Sequence, residues 1–252
     1  MTATLITRFG PGVQSWLDDL PALVDTLSAR WDLQPDRVFS GGTSHTLLCH
    51  RAGRPVVLKL TPDPEIARQE LAALRAWEPS PRVVRVLEVD VDEGALLLEG
   101  LLPGTPAVYD PPRMTALLDA LHVPPRGDFP TLAERVDFVF DLLARRRPGD
   151  HTAGHAAASK LARDPVTATL LHGDLHLENV LDAGERGLVA IDPRPCVGDP
   201  AADAVDFAYA APDLRSGIDA LAGVVDGDRL AAWCAAFADF FPDRREEALS
   251  LA

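Results

Sequence analysis

Leu171-His172-Gly173-Asp174-Leu175-His176-Leu177-Glu178-Asn179-Val180-Leu181 places an asparagine five residues after an aspartate, and thirteen residues after Asn179 the run Val189-Ala190-Ile191-Asp192-Pro193 supplies a second aspartate. Moving a phosphoryl group asks for little covalent chemistry from a protein. It asks for metal ions to offset phosphate charge and for a carboxylate that orients the attacking hydroxyl and accepts its proton. Asp174 on a short loop, Asn179 at the start of a strand and Asp192 at the end of the next strand supply that set, with a hairpin expected to return Asp192 to the same point. Any one of these residues alone reads as a turn or cap residue. The whole arrangement, H-G-D-x-H-x-x-N followed by I-D, points to a phosphoryl-transfer site. His172 and His176 invite a zinc reading, but no third ligand stands at suitable spacing. His172 is instead expected to order the loop by hydrogen bonding.

Working outward, apolar residues from Val13 to Trp31 recur at helical spacing, with Pro21 predicted to divide two short helices. Strands are expected at Arg37–Phe39, Thr46–His50 and Pro55–Leu60, separated by the turns Ser40-Gly41-Gly42 and Arg51-Ala52-Gly53-Arg54, an antiparallel meander. Pro64–Trp77 reads as a helix with proline in its first turn. Val83–Val91 and Ala95–Leu98 read as two further strands. Beyond Leu102-Pro103-Gly104 the pattern turns helical: Pro112–Leu121, Leu132–Arg147 with Val136, Val139, Phe140 and Leu143 in register, and His155–Arg163. Short strands follow at Thr169–Leu171, Asn179–Asp182 and Leu188–Ile191, and then a mostly helical end. The expected fold is α+β, with a sheet-rich lobe over 1–100 and a mainly helical lobe over 101–252.

The 252 residues carry 38 acidic and 24 basic side chains, a formal charge of −14. Such a chain repels nucleic acid and anionic membranes and attracts cationic small molecules. The three cysteines, Cys49, Cys196 and Cys234, are far apart and form no CxxC pair, which argues against a disulfide framework and fits a reducing, cytoplasmic setting. No signal peptide is read at Met1–Gln14, and no apolar run approaches the about 18 residues of a membrane span. A monomer is expected. Downstream of Asp192, Asp199 and Asp203 read as loop-ordering or helix-capping residues. Asp206 and Asp239 are candidate contacts for a cationic acceptor, whereas Trp233, Phe237 and Phe240 at helical spacing read as core.

The Asp174–Asn179–Asp192 segment resembles the aminoglycoside phosphotransferase family, which shares the protein-kinase fold. Ala190-Ile191-Asp192-Pro193-Arg194-Pro195 and Val197-Gly198-Asp199-Pro200 are most similar to its streptomycin 6-phosphotransferase and hydroxyurea phosphotransferase branch. So are Trp16-Leu17-Asp18-Asp19-Leu20-Pro21-Ala22-Leu23 and Ala73-Leu74-Arg75-Ala76-Trp77. The resemblance implies a bilobal protein-kinase-like fold and an ATP- and Mg2+-dependent kinase acting on an aminoglycoside-like antibiotic. It implies Asp174 as catalytic base and Asn179 and Asp192 as magnesium ligands. Lys59 would contact the nucleotide phosphates, with Glu70 as its partner in preference to Glu65. Ser40-Gly41-Gly42-Thr43-Ser44 would cover the phosphates with close backbone and hydroxyl donors, and backbone groups of Glu99 and Leu101 would bind adenine. Asp192-Pro193-Arg194 replaces the D-F-G of protein kinases, so no mobile activation segment is expected. A metabolic kinase for another hydroxylated compound, hydroxyurea phosphorylation and a non-catalytic nucleotide-binding module are the alternatives. The intact Lys59, Asp174, Asn179 and Asp192 set disfavours the last.

Overall fold

Apolar alternation on the early strands and helical periodicity later in the chain resolve, in a computed structural model describing residues 2–39, 43–78 and 80–251, into two units. The first comprises residues 1–75 and 84–104, and the second comprises 76–83 and 105–252.

The first unit opens with helices α1 (Thr2–Phe9) and α2 (Gln14–Trp31). Strands β1 (Gln34–Phe39), β2 (His45–Arg51) and β3 (Arg54–Leu60) follow, then helix α3 (Pro64–Ala76) and strands β4 (Val86–Asp90) and β5 (Ala95–Glu99). The five strands form one antiparallel sheet in the order β1-β2-β3-β5-β4. Leu20 and Leu27 of α2 pack on Leu47, Val56, Leu58 and Leu97 of the sheet. Each such buried side chain contributes about 1.5–3 kcal/mol of transfer free energy. Pro21 does not divide α2. It stands on the exposed face, where its missing N–H removes a single helical hydrogen bond while Leu20 and Leu27 hold the opposite face down. β1 begins earlier than expected, at Gln34. Pro35 is tolerated because the strand lies at the sheet edge with every residue exposed.

The second unit holds the two-residue strand β6 (Thr105–Pro106) and helices α4 (Pro111–Leu121), α5 (Leu132–Arg146) and α6 (Thr152–Arg163). Next come strands β7 (Thr169–Leu171), β8 (Val180–Asp182), β9 (Leu188–Ala190) and β10 (Cys196–Gly198), then helices α7 (Val205–Tyr209), α8 (Leu214–Leu221), α9 (Gly227–Ala236) and α10 (Arg245–Leu249). β8 and β9 form an antiparallel hairpin extended by β6, and β7 pairs with β10. β6 and β10 were not expected from sequence; β6 has only two residues, and β10 pairs with β7 rather than with a sequence neighbour. Among the described residues no helix is long and apolar enough to cross a membrane. The three cysteines are buried and free.

Candidate functional site

The hairpin β8–β9 sets the register of the site. Val180 pairs with Ala190, and the Ile191 N–H donates to the Asn179 carbonyl at 2.9 Å. Asn179, just before β8, and Asp192, just after β9, are thereby drawn to the same end of the hairpin. Asp192 adopts a left-handed backbone with φ 57°. This conformation is costly for a residue with a Cβ, although aspartate is among those that tolerate it best. Its carboxylate meets the Arg194 guanidinium at 3.0 Å.

Asp174 lies in the turn between β7 and β8. The Asn179 Nδ2 donates to its backbone carbonyl at 2.9 Å and approaches Oδ2 at 3.4 Å. Arg135 of α5 donates from Nε to the Gly173 carbonyl at 2.8 Å and from Nη2 to Asp174 Oδ1 at 3.0 Å. The Asp174 side chain nonetheless keeps 39% of its surface exposed, which leaves lone pairs available to a ligand.

Behind this loop stands a buried scaffold. Asp203 accepts from the His172 and Gly173 N–H groups at 2.6 and 2.8 Å. Burial pushes its carboxyl up to about 6, against the lowering effect of those two bonds. His172 is sealed, bonded through Nε2 to the Ile191 carbonyl at 2.9 Å and stacked on Trp77. Burial lowers its imidazole to about 4, so at neutral pH it is uncharged and Nε2 carries the donated proton. It orders the loop, as its sequence context suggests. Gly173 has φ 74°, and a Cβ there would meet the Arg194 carbonyl at 2.0 Å, so no other residue fits. Asp199 caps Ala201 and accepts from Arg229 Nε at 2.6 Å and Trp233 Nε1 at 2.7 Å.

A cavity of about 320 Å³ opens beside Asp174, lined by Arg135, Val136 and Val139 of α5, by His176, Asp203 and Asp206, and by Phe237, Phe240 and Phe241. Its size falls at the lower end of small-molecule sites, roughly 300–1,000 Å³. Asp206 faces this space with no hydrogen bond or ion pair from its carboxylate among the described residues, and burial pushes it up to about 6. Asp239 does not line the cavity. Its carboxylate is engaged by Arg245 Nε at 2.7 Å and by His151 at 2.9 Å. Trp233 is core, fully buried, but Phe237 and Phe240 serve as cavity wall, a role their helical spacing could not distinguish from packing.

In the first unit, Lys59 on β3 meets Glu70 on α3, Nζ to Oε2 at 2.5 Å. The two side chains are 8% and 1% exposed. Glu65 is exposed on the same helix and pairs with Arg68 at 3.4 Å. Ser40, Gly41 and Gly42 lie outside the described residues. Thr43 is half-buried, and the buried Ser44 shares a hydrogen bond with the Thr46 hydroxyl at 3.0 Å. The Glu99 N–H is donated to the Arg85 carbonyl at 2.9 Å, and its side chain accepts from Arg85. Leu101 is half-buried, and its carbonyl lies where a Cβ on Gly104 would come within 2.6 Å of it.

Sequence reasoning missed Arg135. Its only trace was a basic residue in the opening turns of a helix, where the helix dipole disfavours it.

Residues 30–240 match the family described as aminoglycoside/hydroxyurea antibiotic resistance kinase. The chain is 35% identical to the streptomycin 6-kinase of Streptomyces griseus, over 75% of this chain and 67% of that protein. It is 32% identical to the hydroxyurea phosphotransferase of Kitasatospora aureofaciens, over 89% of this chain and 72% of that protein. Among solved structures, the choline kinase LicA from Streptococcus pneumoniae superposes with a TM-score of 0.68 at 14% identity, covering 92% of this chain and 97% of that one. The aminoglycoside phosphotransferase APH(4)-Ia does so with a TM-score of 0.57 at 16% identity, covering 92% and 95%. The fold is protein-kinase-like, and the chain belongs to the aminoglycoside/hydroxyurea antibiotic resistance kinase family, enzymes that transfer a phosphoryl group to a hydroxyl.

Proposed function

We propose that the chain phosphorylates a hydroxyl of a streptomycin-type aminoglycoside, with ATP as donor. The observation that carries this reading is Asp174: a carboxylate held from two sides, still open, at the wall of a cavity that also presents the unpaired acid Asp206 and three phenylalanines. A cavity of that character suits a cationic, ring-bearing acceptor. Two relatives in the family are a streptomycin 6-kinase and a hydroxyurea phosphotransferase.

In this reading Asp174 accepts the proton as the acceptor oxygen bonds to the γ-phosphorus. The bond from that phosphorus to the β–γ bridging oxygen breaks, and ADP leaves. Lys59, held by Glu70, supplies a fixed cation for the nucleotide phosphates. Asn179 and Asp192 fit a magnesium ion. Their donors are hard oxygens, the Asn179 amide is oriented by its Nδ2 bond to Asp174, and the Asp192 side chain is 33% exposed. Magnesium is commonly held by one or two protein oxygens plus substrate phosphates rather than by an all-protein cage. When bound, the ion would offset charge on the phosphates. Glu99 and Leu101 would receive the adenine through backbone groups, and residues 40–44 would cover the phosphates.

The test is an ADP-release assay across streptomycin, other aminoglycosides, hydroxyurea and simple sugars, with the product examined for one added phosphoryl group. Turnover on streptomycin is expected. Turnover on sugars with none on any antibiotic would sink this reading. Hydroxyurea is the second reading, favoured by the relative whose match spans 89% of the chain, and turnover on it alone would select it.

A further inference from the structure

Arg135 is half-buried, with 16% of its side-chain surface exposed, projects from the first turns of α5 and reaches a loop 39 residues further along the chain. A guanidinium in such a place is expensive. It loses hydration, and it stands near the positive end of a helix dipole. Desolvation lowers its affinity for a proton, an effect that Asp174 opposes. The helix start is otherwise built conventionally. Thr131 and Glu134 form a capping box, with the Thr131 N–H donating to Glu134 Oε2 at 2.7 Å and the Glu134 N–H donating to Thr131 Oγ1 at 3.2 Å. Acid in the first turn stabilises such a start, whereas a base there does not. Within α5 the guanidinium lies over the Phe138 ring, 5.5 Å from its centroid, but that contact does not account for the fork it makes to the loop.

Arg135 Nε grips the carbonyl of Gly173, and Nη2 grips Oδ1 of the next residue, Asp174. Backbone and side chain of the loop are fixed by one planar fork, and Asn179 holds Asp174 from the other side. Arg135 also lines the same cavity as Asp174. We propose that Arg135 is a positioning residue for transfer: it sets the Asp174 carboxylate toward the acceptor cavity without itself exchanging a proton. Resting on Asp174 as proton acceptor, this deepens the reading above and adds a residue of its own. Arginine suits the task because its donors are rigidly arranged, whereas a lysine ammonium could satisfy one acceptor or share itself between two without fixing direction.

The experiment compares Arg135→Lys, Arg135→Gln, Arg135→Ala and Asp174→Asn for turnover with streptomycin and hydroxyurea, alongside Mg-ATP affinity by titration calorimetry. Arg135→Lys keeps the charge and guards against a variant that merely fails to fold. Arg135→Lys and Arg135→Gln should both lose kcat by about 100-fold, the scale of a misplaced catalytic group, with Mg-ATP affinity little changed. Methylguanidinium added to Arg135→Ala should restore part of the rate, which a purely structural role would not allow. Combining Arg135→Ala with Asp174→Asn should slow the enzyme no further than Asp174→Asn alone, because the arginine acts through the carboxylate. Normal kcat in Arg135→Lys and Arg135→Gln with an inactive Asp174→Asn would overturn the role of Arg135 and leave the site reading standing. Normal kcat in Asp174→Asn would overturn the site reading, and this proposal with it.

Discussion

Two ion pairs, one in each unit, tie a helix to a segment of the proposed site, and they are built differently. Lys59–Glu70 is short and sealed, with exposures of 8% and 1%. Arg135–Asp174 is longer, at 3.0 Å, and its acid keeps 39% of its surface. A sealed carboxylate can do nothing but hold its partner. An open one, held by Arg135 and Asn179 yet still 39% exposed, can present its remaining oxygen lone pairs to a ligand. In the proposed reading, burial rather than charge pairing separates the acid that positions, Glu70, from the acid that would react, Asp174.

The contrast can be broken at its strongest point first. Glu70→Ala leaves the Lys59 ammonium buried without this counter-charge, a loss of about 3–5 kcal/mol in stability. Denaturant titration should show it, and a stability near wild type would mean that the pair is not sealed as described. Gly173→Ala acts on the open pair. The added Cβ collides with the Arg194 carbonyl at a φ of 74°, at a cost on the order of 2–3 kcal/mol. Turnover should fall further than nucleotide affinity, since the displaced residue precedes Asp174.

The smallest effect at neutral pH is expected behind the open pair, at His122. Its ring is buried and makes no hydrogen bond among the described residues, and Nε2 stands 3.9 Å from Asp203 Oδ2. Burial lowers it from 6.5 to about 4. Its folded form therefore favours the neutral ring, and its contribution is complete above pH 6.5 and lost as pH falls toward 4. Asp203, raised to about 6, runs the other way, contributing most at low pH and losing that contribution as pH rises through 6. His122→Leu should change stability little at pH 7.5, since no hydrogen bond is lost, and should lose less stability than wild type between pH 6.5 and 4. Equal acid sensitivity in the two proteins would contradict this placement.

How much of this could be read from sequence follows from the range of each interaction. Asp174, Asn179 and Asp192 lie on one loop and one hairpin, so spacing alone brought them together. The Lys59 strand and the α3 helix were readable for the same reason, and the choice of Glu70 over Glu65 needed the family resemblance. Arg135 was invisible because its bond to Asp174 spans 39 residues, and the helix around it shows only its apolar register. Phe237 and Phe240 pack on Phe140, as their helical spacing suggested, and also line the cavity, a second role that spacing does not reveal. Pro21 was over-read: proline biases a helix to break, but burial of Leu20 and Leu27 outweighed one lost bond.

The most direct measurement is on Asp174→Asn: steady-state ADP release with the acceptor, paired with Mg-ATP binding by calorimetry. The amide keeps the shape and can still accept from Arg135 but cannot take up the acceptor's proton. Turnover should fall by about 10²–10⁴-fold, the usual contribution of a general base, with nucleotide affinity nearly unchanged. Near-normal turnover in this variant would contradict the assignment of Asp174 as the proton acceptor.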